Sequence, residues 1–482
     1  MEKHVDILIM GAGISGIGVA VHLLKNCPQR QFDIVERRAS FGGTWDLFKY
    51  PGIRSDSDMS TFGFTFKPWQ KNKVLADAGS IKRYLSEVIS DYDLQQKIHF
   101  QHHILSANYD SQLKKWRVNI QDSAQQQQIW VANFIFGCTG YYNYDQGYQP
   151  TFPNQQAFKG QWIHPQHWPE NFNYQNKKVV IIGSGATAIS LVPAMVKAGA
   201  AHVTMLQRSP TYIVSIASVD HFYRKMRQFL PEKLAYRLTR GRNIAVQRSL
   251  YLFAQKQPKV LRKFLLKAVE KQLQGAVEMK NFTPAYQPWD QRICIVPDGD
   301  LFKVLRSGQA SVQTGQIEQF TEHGIILESG RQLDADIIVT ATGLQVQMLG
   351  GIQISVDHQP IDPSKHMLYQ GTMLSDIPNM AILMGYINSS WTLKVDITAE
   401  YLCRLINYMD KNAYTEVMAQ ADPNELMSET VMGSLSSSYI ARAINVIPKQ
   451  GKHAPWQVSN NYLADRKQLH KAKFNDAILK FS

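Results

Sequence analysis

The chain has 482 residues, 44% of them hydrophobic and 19% charged, which suits two or three globular domains. We expect no secretory signal, because the opening MEKHVD has charges where a signal needs an apolar core. We also expect no transmembrane anchor, because no stretch approaches the roughly 18 apolar residues of a membrane span. The cysteines are far apart and form no CxxC motif, so we expect neither a redox dithiol nor a metal site. These features predict a cytoplasmic protein.

The first dinucleotide motif lies at the start of the chain. Residues 5–10 predict a buried strand that runs directly into the turn GAGISG. Gly11, Gly13 and Gly16 allow a tight turn and the close approach of a pyrophosphate to the helix that follows. A second strand leads to Glu36, 20 residues after Gly16, where an acid accepts a hydrogen bond from a ribose hydroxyl.

The same order recurs downstream. Residues 178–182 predict a strand, and the turn GSGATA carries Gly183 and Gly185, with Ala188 in place of a third glycine. The next strand leads to Arg208, 20 residues after Ala188. A carboxylate at this position suits a free 2′-hydroxyl and a guanidinium suits a 2′-phosphate. We therefore predict FAD in the first site and NADPH in the second.

Two dinucleotide sites imply that a hydride passes from NADPH to the flavin. The electrons then need a further acceptor. Because the sequence has no paired cysteines, a disulfide is excluded, and O2, a quinone or a protein acceptor remain.

A longer motif lies between the two units. Residues 158–169, FKGQWIHPQHWP, match the pattern FxGxxxHxxxWP at every fixed position. This segment resembles the fingerprint of the type I Baeyer–Villiger flavin monooxygenases, whose N- and S-oxygenating relatives usually carry another aromatic residue in place of the tryptophan. Its most informative positions are Phe158, Gly160, His164 and Trp168.

A second signature strengthens the resemblance. Gly43, Thr44 and Trp45, followed by a YPG turn and Asp56, are similar to the shorter motif of that family. The runs YPGIRSDSDM, GSGATA, LQRSPTYIVS and PWDQR are similar to the ethionamide-activating branch. By this resemblance we expect residues 43–45 and Asp56 to contact the cofactor.

The resemblance implies an α/β fold with two Rossmann-like domains. The FAD-binding domain would be discontinuous, at residues 1–145 and 342–482. The NADPH-binding domain would occupy residues 146–341, with a helical insertion at about 215–285. The implied reaction converts ketones to esters or lactones through a C4a-peroxyflavin, with sulfide or thioamide S-oxygenation as a further activity. An N- or S-oxygenating monooxygenase without ketone chemistry and a flavoprotein reductase with a non-oxygen acceptor are the alternatives.

Two residues are catalytic candidates by the same resemblance. Arg292, in the run WDQR, aligns with the arginine that the family places beside the flavin. A permanently charged donor at that place stabilises developing negative charge. Asp56 aligns with the carboxylate that orients this arginine, although SDSD is also a turn-like sequence. The chain departs from the family at Gln291, where a lysine often helps to bind the 2′-phosphate. His164 is equally compatible with a buried structural histidine.

Two further segments are assigned by analogy alone. Residues 385–391 would line the flavin, and residues 449–451 lie where related enzymes have a mobile loop over NADP.

The net charge of +13 is concentrated in one segment. Residues 221–275 hold 14 Lys or Arg against Glu232 and Glu270 alone. A solvated helical surface is the simplest interpretation. Attraction of an anionic cofactor, or peripheral association with an anionic membrane, is the alternative. We expect no nucleic-acid partner.

Overall fold

The computed structural model describes residues 2–291, 293–433 and 438–482. Its helices are, in chain order, α1 (Ile14–Asn26), α2 (Thr44–Leu47), α3 (Met59–Phe62), α4 (Ala78–Asp91), α5 (Ala186–Lys197), α6 (His221–Phe229), α7 (Glu232–Lys256), α8 (Pro258–Leu273), α9 (Asp300–Arg306), α10 (Trp391–Lys411), α11 (Ser438–Arg442) and α12 (Tyr462–Lys471). Short 3₁₀ turns occupy Gln95–Lys97, Gln155–Ala157, Pro165–His167, Met279–Phe282, Met348–Gly351, Pro363–Lys365 and Pro423–Glu425.

The strands belong to seven sheets of the described chain. In chain order they are β1 (Lys3–Met10), β2 (Phe32–Glu36), β3 (Ile98–Phe100), β4 (His103–Asp110), β5 (Lys115–Gln121), β6 (Gln127–Gly137), β7 (Gln161–Ile163), β8 (Lys178–Ile182), β9 (His202–Gln207), β10 (Ile213–Ile216), β11 (Cys294–Pro297), β12 (Ala310–Thr314), β13 (Ile317–Thr321), β14 (Gly324–Leu327), β15 (Gln332–Asp334), β16 (Ile337–Thr340), β17 (Gln353–Val356), β18 (Gln359–Pro360), β19 (Leu368–Tyr369), β20 (Met373–Leu374), β21 (Met380–Ile382), β22 (Val417–Ala419), β23 (Leu426–Thr430), β24 (Lys449–Gly451) and β25 (Leu479–Phe481).

The largest sheet has the order β18-β17-β4-β5-β6-β1-β2-β3, with β21 also paired to β6. Strands β3, β2, β1, β6 and β21 run parallel, while β5 and β4 form an antiparallel extension. Helices α1 and α10 pack on each other against the parallel part, in the largest hydrophobic cluster. The sheet therefore has a parallel centre whose first turn follows β1, as in a Rossmann-like fold.

The second sheet is wholly parallel, with the order β12-β9-β8-β16-β7. Its strand β8 runs into the second glycine turn, and α5 follows at once. The strands of this sheet come from residues 161–340, whereas those of the largest sheet come from residues 3–137 and 353–382. The exact domain boundaries remain a prediction.

Helices α6, α7 and α8 lie between β10 and β11, within the segment predicted as a helical insertion. Helix α8 buries a row of apolar side chains four residues apart: Leu261, Leu265, Val269 and Leu273. Helix α7 instead reaches the segment before α4 through buried Arg240, whose guanidinium donates to the carbonyls of Ser60, Thr61 and Gly63. One element of the insertion is thus fixed against the first part of the chain.

No helix among the described residues is long and apolar enough to cross a membrane. Within the same residues, no group of three or more His, Cys, Asp or Glu side chains is placed to hold a metal ion.

Candidate functional site

The main cavity lies between the two glycine turns and has a volume of about 800 Å³. Its wall is mostly apolar and aromatic, with a few charged groups. It draws on both parallel-sheet units, on the insertion helices and on the segment before α10. The contributing segments include residues 13–15, 42–45, 56–58, 140–142, 186–187, 219–222 and 386–391.

A narrower cavity of about 80 Å³ extends from the first glycine turn toward the end of β2. It contains Glu36 and Arg37 and shares Gly13, Gly43 and Tyr144 with the main cavity. The two cavities therefore form one elongated space beside the first turn.

Glu36 is buried at the narrow end of this space. One carboxylate oxygen accepts from the backbone N–H of Ala12 at 2.9 Å and the other from that of Arg38 at 2.9 Å. Burial raises the pKa of Glu36, and these two N–H groups partly oppose the rise. The carboxylate is thus held in one orientation beside the turn.

The first turn requires glycine for steric reasons. Gly11 has a φ of 109°, and a Cβ there would lie 2.8 Å from the carbonyl oxygen of Cys138. A Cβ on Gly16 would lie 1.9 Å from the carbonyl oxygen of Gly11. Any side chain at these two positions would push α1 away from the turn.

Both glycine turns leave a helix N-terminus without a side-chain cap. Gly13 precedes α1 and Gly185 precedes α5, and neither helix has an acidic residue in its first turn. The free N–H groups and the positive end of the helix dipole favour an anion at each position. A Cβ on Gly185 would meet no atom within 4 Å, so this turn is open to a ligand.

The other residues of the second motif differ in exposure. Gly183 has a φ of 137°, and its Cβ would lie 2.3 Å from the carbonyl oxygen of Ala341. Ala188 is buried in α5, where its methyl group fits. Arg208 directly follows β9 and is exposed. It lies outside the wall of the main cavity.

Asp56 lies in the wall of the main cavity and is exposed to its space. The hydroxyl of Ser57 donates to its carboxylate at 3.5 Å. Arg292 lies outside the described residues, and its chain neighbours Trp289 and Ile293 line the same cavity. The pairing of Arg292 with Asp56 therefore stays a prediction.

The segment GGTW forms part of the cavity wall and is held by contacts with neighbouring side chains. Trp45 lines the cavity and meets the ring of Phe62 edge-on at 5.7 Å, and the hydroxyl of Thr44 lies 3.5 Å from that of Tyr144. The next residue, Asp46, is buried and pairs with Arg38 and with Lys82 of α4. Burial raises the pKa of Asp46, but hydrogen bonds from these two cations outweigh it and lower the pKa to about 2.

The predicted segment 385–391 contributes residues 386–391 to the cavity wall. The indole N–H of Trp391 donates to the hydroxyl of Ser15 at 2.7 Å, and its ring stacks on Tyr141 at 5.5 Å. A Cβ on Gly385 would lie 2.2 Å from the Trp391 ring. Tyr141 and Ser15 were not singled out from the sequence, because no local motif links them to Trp391. Residues 449–451, predicted as a mobile loop, form β24, which pairs with β23.

Asp58 is another residue that the sequence did not reveal. It caps α3 by accepting from the backbone N–H of Thr61. It also accepts from the side-chain amides of Asn243 at 2.8 Å and Gln247 at 2.7 Å, both on α7. Asp58 thereby fixes the helix that forms one wall of the cavity.

The long fingerprint lies where the two segments that link the sheets run side by side. Phe158 is buried against Gly160, whose Cβ would lie 2.3 Å from the Phe158 ring. His164 is buried, its Nδ1 accepts from the N–H of Gln166, and burial lowers its pKa. Trp168 packs on Phe172 and on the core of the second sheet.

Both linking segments are hydrogen-bonded to each other near the fingerprint. The N–H of Tyr148 donates to the carbonyl of Gly343. Next to this contact, in the adjacent strands β7 and β16, the hydroxyl of Thr340 donates to the carbonyl of Ile163. None of the four fingerprint side chains lies in the wall of the main cavity. Their position suits a coupling of the two sheets more than contact with a substrate.

Comparison with known proteins places this arrangement in a family. The model of the family described as "FMO-like: Flavin-binding monooxygenase-like" matches residues 3–368. The probable FAD-binding monooxygenase AlmA of Acinetobacter baylyi is 70% identical over 481 residues, covering 100% of this chain and 97% of the relative. The FAD-containing monooxygenase EthA of Mycobacterium tuberculosis is 46% identical over 483 residues, covering 100% of this chain and 98% of the relative.

Solved structures share the fold at low identity. A steroid monooxygenase bound to NADP has a TM-score of 0.78 at 19% identity, with 99% of both chains covered. A cyclohexanone monooxygenase in its open form has a TM-score of 0.77 at 17% identity, with both chains fully covered. The predicted α/β fold with two Rossmann-like cores is confirmed.

The chain belongs to the flavin-binding monooxygenase-like family. The predicted resemblance to the ethionamide-activating branch is confirmed. EthA and MymA of Mycobacterium tuberculosis are 46% and 47% identical to this chain over essentially their whole length.

Proposed function

We propose that this protein is a Baeyer–Villiger monooxygenase that holds FAD, oxidises NADPH and uses O2 to convert ketones to esters or lactones. The observation that carries the proposal is the main cavity, apolar and about 800 Å³ in volume, onto which both glycine turns and Asp56 converge. An apolar pocket with a few convergent polar groups is typical of a small-molecule site.

The residues of the first unit fit FAD. The elongated space beside the first turn begins at Glu36, passes the uncapped N-terminus of α1 and widens beside Trp45 and Trp391. The carboxylate suits a ribose, the helix N-terminus suits the pyrophosphate, and the aromatic wall suits a flat ring system. The bound flavin would supply the activation of O2.

The second unit fits NADPH. The open turn at Gly185 admits a pyrophosphate, and Ala186 and Thr187 at the start of α5 line the same cavity. Arg208, exposed at the end of β9, is available to a 2′-phosphate. The names of the relatives and solved structures, which include FAD and NADP, agree with this pair of cofactors.

In this proposal Arg292 and Asp56 promote the reaction of the ketone. A permanent positive charge beside the reacting carbonyl stabilises negative charge that develops on its oxygen. Asp56 orients the guanidinium without neutralising it. Sulfides and thioamides, whose oxygenation requires no such anion, would be further substrates of the same cavity.

The test compares ester formed per NADPH consumed on one ketone for the wild type, Arg292→Ala, Asp56→Ala and the control Arg331→Ala, which changes an exposed arginine away from the cavity. Loss of a preorganised donor costs about 100- to 1000-fold in rate. We expect Arg292→Ala to retain flavin. Its rate of ester formation should fall by that factor, and with it the ester formed per NADPH consumed. Asp56→Ala should be milder, and the control should match the wild type.

Undiminished ester yield in Arg292→Ala would show that the catalytic arginine lies elsewhere. Wild-type protein that oxygenates a sulfide but no ketone would favour the N- or S-oxygenating alternative. NADPH consumption that requires a quinone and yields no oxygenated product would favour the reductase.

A further inference from the structure

The insertion helices expose an unusual number of large apolar side chains. Among the described residues, nine of the sixteen exposed large hydrophobic side chains lie between positions 229 and 264. They are Phe229, Leu234, Leu238, Val246, Leu250, Leu252, Phe253, Val260 and Phe264. A concentration of exposed apolar groups in one segment marks an interaction surface rather than a scattered background.

The same segment carries the excess positive charge of the protein, and most of that charge points outward. Some of its basic side chains form hydrogen bonds within the protein instead. Arg240 is one of these, and Arg262 is another, since it donates to the carbonyls of Pro284 and Tyr286. Ten others are exposed: Arg224, Lys225, Arg227, Lys233, Arg237, Lys256, Lys259, Lys263, Lys267 and Lys271. We call these ten side chains and the nine exposed apolar ones the insertion face.

Helix α8 shows how the two kinds of side chain are arranged. Its buried row packs on the protein, and an outward row four residues apart consists of Lys259, Lys263, Lys267 and Lys271. Between these rows lie Val260 and Phe264, exposed by 54% and 68%. Apolar side chains flanked by lysines are the pattern of a helix that lies in the interface of an anionic bilayer.

Helix α7 links the insertion face to the cavity. Val246, Leu250 and Phe253 have the spacing of one helix side. Val246 and Leu250 line the main cavity and are nevertheless 56% and 40% exposed. The cavity wall and the apolar members of the insertion face therefore adjoin each other along this helix.

We propose that the insertion face docks on the surface of an anionic lipid bilayer and that the cavity opens toward the lipid there. Phosphate headgroups pair with the exposed lysines and arginines, while Phe229, Val260 and Phe264 enter the boundary between headgroups and acyl chains. An apolar substrate would then pass from the lipid into the cavity without crossing bulk water. Docking is independent of the proposed function, and only the route of the substrate rests on it.

The first measurement is flotation of the flavin-loaded protein with vesicles. One set contains phosphatidylcholine with one third phosphatidylglycerol, and the other contains phosphatidylcholine alone. We expect the protein to float with the anionic vesicles at low salt, and to be released as the salt concentration rises, because the attraction is screened over about 10 Å at 0.1 M. Protein that stays wholly in the unbound fraction with anionic vesicles would overturn the proposal.

Matched variants separate the insertion face from the overall charge. Lys259, Lys263, Lys267 and Lys271 are changed together to glutamine, and the control changes four exposed lysines elsewhere, Lys159, Lys177, Lys197 and Lys411, to glutamine. Both variants lose four charges. We expect the first to lose at least about tenfold in vesicle binding, since each lysine near the surface contributes separately, and the control to bind like the wild type. Equal losses would refute the insertion face.

The apolar contribution has its own control. Phe264→Gln should weaken binding, whereas Leu113→Gln, at a side chain 58% exposed outside the insertion, should not. Unchanged binding of Phe264→Gln together with equally tight binding to a DNA duplex would identify a general polyanion site and overturn the lipid assignment.

None of the four α8 lysines lines the cavity, so ester formation from a water-soluble ketone should be unaffected in their variant. The two proposals can therefore fail separately.

Discussion

Glu36 and Arg208 hold corresponding places after the two glycine turns, and their surroundings differ. Glu36 is buried and accepts two backbone hydrogen bonds, whereas Arg208 is exposed at the end of its strand. A buried carboxylate repels a phosphate, whereas an exposed guanidinium attracts it and donates hydrogen bonds to it. We therefore propose that these two side chains determine which of the two dinucleotides each turn binds.

Arg208→Ala should change the preference for NADPH over NADH. A hydrogen bond to a charged group contributes about 1.5–3 kcal/mol, so we expect the KM for NADPH to rise about 10- to 100-fold while use of NADH stays unchanged. Steady-state kinetics with both nucleotides measure this, and Lys197→Ala, also exposed in the same unit, is the control. A wild-type enzyme that uses NADH as readily as NADPH would contradict the role of Arg208.

Gly185→Ala should test the second turn without disturbing the fold. Gly185 has a φ of −80° and open space around it, so the added methyl group strains nothing. The methyl group would occupy the approach of the pyrophosphate, and we expect weaker NADPH binding at unchanged thermal stability. Gly16→Ala should instead destabilise the protein, because its Cβ would lie 1.9 Å from a backbone oxygen. Wild-type NADPH affinity in Gly185→Ala would exclude the turn as the binding site.

At the scale of elements, α7 joins the insertion to the remainder of the protein. Buried Arg240 on α7 donates to three carbonyls of residues 60–63, and its second guanidinium nitrogen lies 3.8 Å from the carboxylate of Asp396. Asp396 in turn contacts His22 of α1 and the N–H of Thr65. This network ties α7, α1 and α10 together behind the cavity.

Arg240→Met should therefore loosen α7. Removing one partner from a buried charged network costs about 3–5 kcal/mol because the other groups stay buried and unpaired. We expect the urea midpoint to fall accordingly, and substrate selectivity to broaden because α7 forms a cavity wall. Arg237→Met, one turn earlier and exposed, is the matched control. Equal stability of the two variants would show that the network contributes nothing.

Local sequence patterns predicted the main elements well, but they could not predict contacts between residues that are far apart in the chain. The bounds of β8 match the prediction, and β1 begins two residues earlier than predicted because Lys3 and His4 extend its pairing with β6. Periodicity reports burial along one element. It carries no information on Asp58, whose partners Asn243 and Gln247 lie 185 and 189 residues away.

At the scale of the whole molecule, the net charge of +13 and a few paired carboxylates set the response to acid. Asp46 has a pKa near 3.8 when unfolded and about 2 when folded. Because the folded value is the lower one, its stabilisation is complete above about pH 4 and is lost as the pH falls toward 2. Protonation of further carboxylates adds positive charge, and repulsion then grows.

We therefore expect the free energy of unfolding to decrease steeply below pH 4. Urea titrations at successive pH values should show a shallower decrease for Asp46→Asn, which lacks the titrating group. Asp145→Asn, at a carboxylate whose side chain is 67% exposed, should follow the wild type. Identical slopes for Asp46→Asn and the wild type would contradict the pairing of Asp46 with Lys82 and Arg38.

The sequence by itself determined the two dinucleotide motifs, the family and the order of strand, turn and helix within each motif. These features depend on short spacings, such as glycines at a turn and a charged residue 20 positions later, and each is complete within about 30 residues of chain. The sequence also predicted that the basic segment lies within a helical insertion, because charge and helical periodicity are local properties.

Only the tertiary structure decided how these parts form a site. The cavity needs Gly13, Asp56, Thr187, Val246 and Trp391 at one place, although they span nearly 380 positions of the chain. Burial also divides the basic segment into interior groups such as Arg240 and outward ones such as Lys263. The physical reason is that a side chain's surroundings, and with them its pKa, exposure and partners, are set by elements that fold against it from elsewhere in the chain.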